Sequence, residues 1–123
     1  MSVEPEIVRV GLGSRFAGGV RFGDLIWLAG HVSPDLTRGV RGQTAAILAR
    51  VDARLAELGS DKTRILMANV WLADIGTFDE MNAAWDAWVD LAHMPARATV
   101  EAKLAGPEYL VEIAVVAAAG GGR

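Results

Sequence analysis

The chain has 123 residues, a length for one domain, and its 52% hydrophobic content is enough for a core. Its formal net charge of −3, with the arginines scattered rather than gathered in a run, gives no electrostatic footprint for nucleic acid. The absence of cysteine excludes disulfides, thiol catalysis and thiolate metal sites.

The start, Met1 to Glu6, lacks the basic opening and apolar stretch of a signal peptide, and the apolar run Ile113 to Ala119 is too short to span a bilayer. A soluble, cytoplasmic protein without a membrane partner is expected. Glu6 to Val10 alternates weakly, as an edge strand would, and Gly11-Leu12-Gly13-Ser14 is expected to break it. Phe16 to Phe22 reads as a glycine-softened strand. Gly23-Asp24 then reads as a two-residue turn into an apolar, central strand over Leu25 to Ala29. Gly30 to Asp35 closes that strand as a loop.

Ile47, Leu48, Val51, Leu55 and Leu58 recur at helical spacing and predict a helix from Gln43 to Leu58, stopped by Gly59. Arg50, Arg54 and Glu57 line another of its faces. Arg64 to Ala73 is apolar on both faces and predicts a covered strand. Thr77-Phe78-Asp79-Glu80 has the pattern of a capping box. The helix it would open buries Phe78, Met81, Trp85, Trp88, Val89 and Ala92. Asn82 falls beside that stripe, one turn from Phe78 and from Trp85; its amide needs partners, and a bond to a neighbouring loop backbone is one way to supply them.

Pro95 ends this helix. From there residues alternate, with Arg97, Thr99, Glu101 and Lys103 on one side and Ala98, Val100, Ala102 and Leu104 on the other. An arginine on a half-buried strand offers a fixed, permanently charged fork that suits a carboxylate, or else serves a surface or subunit contact. The last strand, Tyr109 to Ala117, carries one charge, Glu112. Either that carboxyl is unpaired, with a raised pKa suited to proton transfer, or it pairs with Lys103 or an arginine. A hairpin around Gly106-Pro107 would set Glu101 opposite Glu112, so the last strand is expected to pair elsewhere in the sheet. Right-handed crossovers put both helices on one face. The other face is left bare and apolar, and association through it is the natural solution. The tail Gly120 to Arg123 is expected to be mobile, after a single domain over 1–119.

Taken together, these residues resemble the RidA/YjgF family of reactive-imine deaminases, in a branch outside the RidA type proper. The resemblance rests on Gly23-Asp24-Leu25-Ile26, Ala29-Gly30, Gln43-Thr44, Leu58-Gly59-Ser60, Phe78 with Met81-Asn82, Pro95 to Val100 and Val111-Glu112-Ile113. It spans about Phe16 to Ala117. It implies an α+β, chorismate-mutase-like fold, with a mixed six-stranded sheet and two helices on one face. It also implies a homotrimer with a central barrel and a cleft at each subunit interface. By the same resemblance Arg97 holds a substrate carboxylate, Glu112 handles protons or a water, Asn82 lies at the site or supports it, and the Gly30 backbone lines the pocket. No cofactor or metal is implied. The chain departs from the RidA type at Phe16 (usually Tyr), Ala29 (usually Ser), His31 (often Gln) and Thr99 (often Cys), which bears on substrate preference and rate. Thr99 and His31 are candidates to replace the lost polarity. Hydrolysis of 2-imino or enamine acids to 2-keto acids is the expected activity. A noncatalytic carboxylate-binding trimer and a ribonuclease or translation inhibitor are the alternatives; the missing basic groove argues against the last.

Overall fold

The computed structural model describes residues 4–120. The elements run β1 (Ile7–Leu12), β2 (Ala17–Phe22), β3 (Leu25–Leu28), α1 (Val40–Glu57), β4 (Ile65–Leu72), α2 (Phe78–Trp88), β5 (Ala96–Glu101) and β6 (Val111–Ala118), with short 3₁₀ turns at Lys62–Arg64 and Ile75–Thr77. The strands form one mixed sheet in the order β1-β2-β3-β6-β4-β5. β5 runs parallel to β4, and β6 lies antiparallel between β3 and β4. The last strand therefore pairs away from β5, as the like charges Glu101 and Glu112 require.

Both helices pack on one face, over Ile26, Leu28, Ala68, Val70, Leu72, Ile113, Val115 and Ala117. Register fixes the other face. Leu25 pairs with Ala118, Val20 with Trp27, Met67 with Val116, and Trp71 with both Val100 and Glu112. These side chains point away from the helices. Phe22, Leu25, Trp27 and Val100 are each more than 40% exposed, so the protomer leaves an apolar sheet face without cover. β3 and β4 are interior strands as expected, but only one face of each is covered.

Several local expectations need correction. β1 continues through Gly11, which takes φ +61°, rather than stopping before it. α1 starts at Val40, three residues early, with Gly39 as its N-cap and no side-chain cap. The capping box at Thr77 does not form. Thr77 has φ −93°, ψ 13°, and its hydroxyl donates to the Asp74 carbonyl (2.6 Å), because a 3₁₀ turn capped by Asp74 runs straight into α2. α2 ends at Trp88, so Val89 and Ala92 lie outside it; Val89 is extended, and the Asp90 carboxylate accepts the Ala92 N–H (2.9 Å) instead of letting the helix continue. β5 stops at Glu101, short of Lys103 and Leu104, and β6 starts at Val111. The expected stop at Gly59 holds: it takes φ +80°, and the Ser60 N–H returns to the Leu55 carbonyl (2.8 Å). Of the tail, Gly120 donates to the Gly59 carbonyl (2.8 Å), while residues 121–123 lie outside the described residues. No helix among the described residues is long and apolar enough to cross a membrane.

Candidate functional site

Arg97 sits on β5 in register with Ala68 and, across β4, Val115, which places it on the helix-covered face. The β4-α2-β5 crossover lays α2 beside it. Phe78, Asn82 and Trp85 recur at helical spacing and form the wall it meets. Arg97 Nη1 donates to Asn82 Oδ1 (2.8 Å) and also lies 3.8 Å from the Met81 sulfur. The guanidinium carbon stands 4.9 Å from the Trp85 ring centroid and 5.7 Å from that of Phe78. Asn82 thus holds the arginine rather than a loop backbone, which corrects the reading of it as a loop pin. Burial pushes the Arg97 pKa down, and Asp86 pulls it back up. Among the described residues Arg97 has no carboxylate within ion-pair distance. Two residues on, and on the same face, the Thr99 hydroxyl is buried without a hydrogen-bond partner among the described residues.

Glu112 is on β6 opposite Trp71, on the uncovered face. It is half-buried and, among the described residues, forms no ion pair with Lys103 or any arginine. Its carboxylate lies over the α-carbon of Gly30: a Cβ at Gly30 would stand 2.1 Å from Glu112 Oε2. Only glycine admits the carboxylate there. The next residue, His31, bridges to Ile113, its N–H donating at 2.8 Å and its carbonyl accepting at 3.1 Å. The His31 ring is buried, with Nδ1 2.7 Å from the Ala29 carbonyl, which favours the tautomer with its proton on Nδ1. Burial lowers its pKa; the Ala29 bond opposes this, while the charges of Arg50 and Arg54 add to it. Gly30, His31 and Phe16, whose ring is largely exposed, line one cavity with Arg50 and Arg54.

The site residues therefore fall into two groups. Arg97, Asn82 and Thr99 lie on one face; Glu112 lies on the other, against Gly30 with Phe16 and His31 nearby. Arg97 and Glu112 are three residues apart along the strands and two strands apart across them. With ~3.3 Å per residue and ~4.8 Å per strand, their α-carbons are about 14 Å apart, with side chains on opposite faces. One protomer cannot place both on one small substrate. The periodicity of α1 shows Arg50 and Arg54 only as a polar face, and their place beside Gly30 comes from packing between distant elements. Among the described residues no cluster of His, Asp and Glu could hold a metal ion.

A mixed sheet with two helices on one face, carrying a partly desolvated arginine without a counter-ion among the described residues, defines a small α+β protein. The endoribonuclease L-PSP family model matches residues 9–119. A RutC family protein, YoaB, from Escherichia coli is 44% identical over 112 residues, covering 91% of this chain and 97% of its own length. A RutC family protein from Haemophilus ducreyi is 40% identical, covering 91% and 96%. The crystal structure of a YjgF family member from Neisseria meningitidis superposes with a TM-score of 0.91 at 43% identity, covering 95% of this chain and 98% of that one. The chain belongs to the YjgF/RutC (endoribonuclease L-PSP) family.

Proposed function

We propose that this protein hydrolyses 2-imino acids, and the enamines that tautomerise to them, to 2-keto acids and ammonia. The observation that carries the reading is Arg97: a guanidinium held by Asn82 and two aromatic rings, partly desolvated, with no carboxylate among the described residues to satisfy it. A planar substrate carboxylate supplies the missing partner bidentately. The Thr99 hydroxyl, buried and unpaired, lies on the same side for a second hydrogen bond.

The chemistry demands orientation and one proton path. The carboxylate on Arg97 fixes the C=N carbon. Glu112 positions a water and takes its proton as the oxygen attacks that carbon. The same proton goes to the nitrogen, giving a carbinolamine; Glu112 then takes the hydroxyl proton and passes it to the amine, which leaves as ammonia while the C=O forms. Arg97 lies on the edge strand β5, so when the uncovered sheet faces associate it can meet a neighbour at the rim of the sheet, one copy supplying Arg97 and the next Glu112 and Gly30. Burial of Phe22, Leu25 and Trp27 drives that association, and the family resemblance makes it a homotrimer. No step calls for a metal or cofactor.

A noncatalytic carboxylate-binding trimer is the second reading, favoured by Phe16 and Ala29, which place no hydroxyl at the cleft. Ammonia release from imines generated in situ by an amino-acid oxidase separates the two. Deaminase activity requires acceleration over buffer that is lost in Arg97→Ala and Glu112→Gln. Binding of 2-keto acids without acceleration of any imine would leave the carboxylate-binding reading.

A further inference from the structure

A cavity of about 260 Å³ opens beside Gly30, and its α1 wall is cationic. Arg50 and Arg54 are four residues apart on α1, so both project to the same side. The Arg54 side chain is only 21% exposed. Its guanidinium lies over the α-carbons of Gly11 and Gly18, where a Cβ would come within 2.4 and 2.8 Å of it. Two glycines from neighbouring strands thus make room for one partly buried cation. Arg54 Nη1 reaches Glu57 at 3.2 Å, and Arg50 has no ion-pair partner among the described residues. The cavity therefore holds two guanidinium charges against one carboxylate, in a chain of net charge −3. The His31 ring closes the third side, its pKa lowered first by burial and further by the charges of both arginines.

The ligand this environment lacks is an anion, and the forked donors suit a carboxylate. The space is ample for a short side chain that ends in one, since a water occupies about 30 Å³. Gly30 lines this cavity, and its α-carbon also meets the Glu112 carboxylate, so one residue separates the cavity from the proposed proton carrier.

We propose that Arg50 and Arg54 form a subsite for a second carboxylate, making dicarboxylic 2-imino acids the preferred substrate class. The inference rests on the deaminase reading: the α-carboxylate occupies Arg97 of one copy, and the distal carboxylate lies between Arg50 and Arg54 of the copy that supplies Glu112. The reaction is unchanged, one water adding and one ammonia leaving.

The test has two arms. In the first, kcat/KM is measured for the imine of glutamate and the imine of norvaline, which has a chain of similar length and no second charge. The acidic imine should be preferred at least tenfold, and Arg50→Gln should shrink that ratio about tenfold through KM. In the second, calorimetry compares 2-oxoglutarate with 2-oxopentanoate on wild type, Arg50→Gln and Arg54→Lys. The dicarboxylate should bind wild type at least tenfold more tightly, with the difference falling in both variants. Arg50 is exposed, so its variant should fold normally, and Arg54→Lys keeps the partly buried charge. If the two keto acids bind alike, or the ratios survive in Arg50→Gln, the subsite is refuted. If no imine is accelerated while the dicarboxylate still binds preferentially, the deaminase reading fails and the subsite stands.

Discussion

Replacing Gly30 with alanine tests the contact between the loop after β3 and the proposed proton carrier. The added Cβ would stand 2.1 Å from Glu112 Oε2 and 2.9 Å from its carboxyl carbon. Ordinary contact begins near 3.4 Å, so the oxygen must retreat by about 1.3 Å. Gly30 has no positive φ, so the backbone carries alanine without strain, and the yielding atoms belong to the end of a flexible side chain. Such overpacking costs about 1 kcal/mol, a loss of about 4 °C in melting temperature. The catalytic cost is larger, because misplacing a reacting group by about 1 Å lowers the rate roughly 100-fold. Imine hydrolysis by Gly30→Ala should fall by about that factor while 2-keto acid affinity, set by Arg97, changes less than threefold. Hydrolysis at the wild-type rate would show that the position of Glu112 does not matter to the chemistry.

Other outcomes follow from single contacts. Asn82→Ala removes the oxygen that orients Arg97, a hydrogen bond to a charged group worth about 1.5–3 kcal/mol, so 2-keto acid affinity should drop at least tenfold by calorimetry. Gln43→Leu strips three bonds from a buried amide, to the Arg38 and Glu108 carbonyls (3.0 Å each) and the Leu110 N–H (3.1 Å). At ~1–3 kcal/mol per orphaned group it should cost at least about 3 kcal/mol in urea denaturation, and a smaller loss would mean that the two loops do not need this pin. The folded pKa of His31 lies below its unfolded value of 6.5, so the unfolded chain binds the extra proton first. Its contribution to stability is whole above pH 6.5 and is lost as pH falls from there through the lowered folded pKa. His31→Gln should flatten the stability profile in that window, and an unchanged slope would contradict the burial of a neutral ring.

Much of the fold was legible because apolar spacing is a direct imprint of packing. The stripe Ile47, Leu48, Val51 and Leu55 gave α1, and the period-two pattern gave β4 and β6. One electrostatic argument, Glu101 against Glu112, placed β6 away from β5. The ends of elements were less legible, because neighbours compete for the same backbone groups: Asp74 supplies a turn that displaces the Thr77 cap, and Asp90 captures the N–H that would extend α2. The candidate site was legible in its residue types but not in its division. Alternation assigns each side chain a face only once strand pairing is known, so the separation of Arg97 from Glu112 appears only with the sheet order. Arg50 and Arg54 carried no signal beyond a polar helix face, since the glycines that seat Arg54 come from β1 and β2, more than thirty residues earlier.

The central claim is that one copy supplies Arg97 and another supplies Glu112. Co-expression of Arg97→Ala with Glu112→Gln tests it directly. Each variant alone should release ammonia from imines no faster than buffer. In random mixed trimers about a quarter of the interfaces join an intact Arg97 to an intact Glu112, so the mixture should recover about a quarter of wild-type activity. A mixture as inactive as its components, beside an active wild type, would contradict the shared site; a wild type without activity on any imine would contradict the chemistry itself.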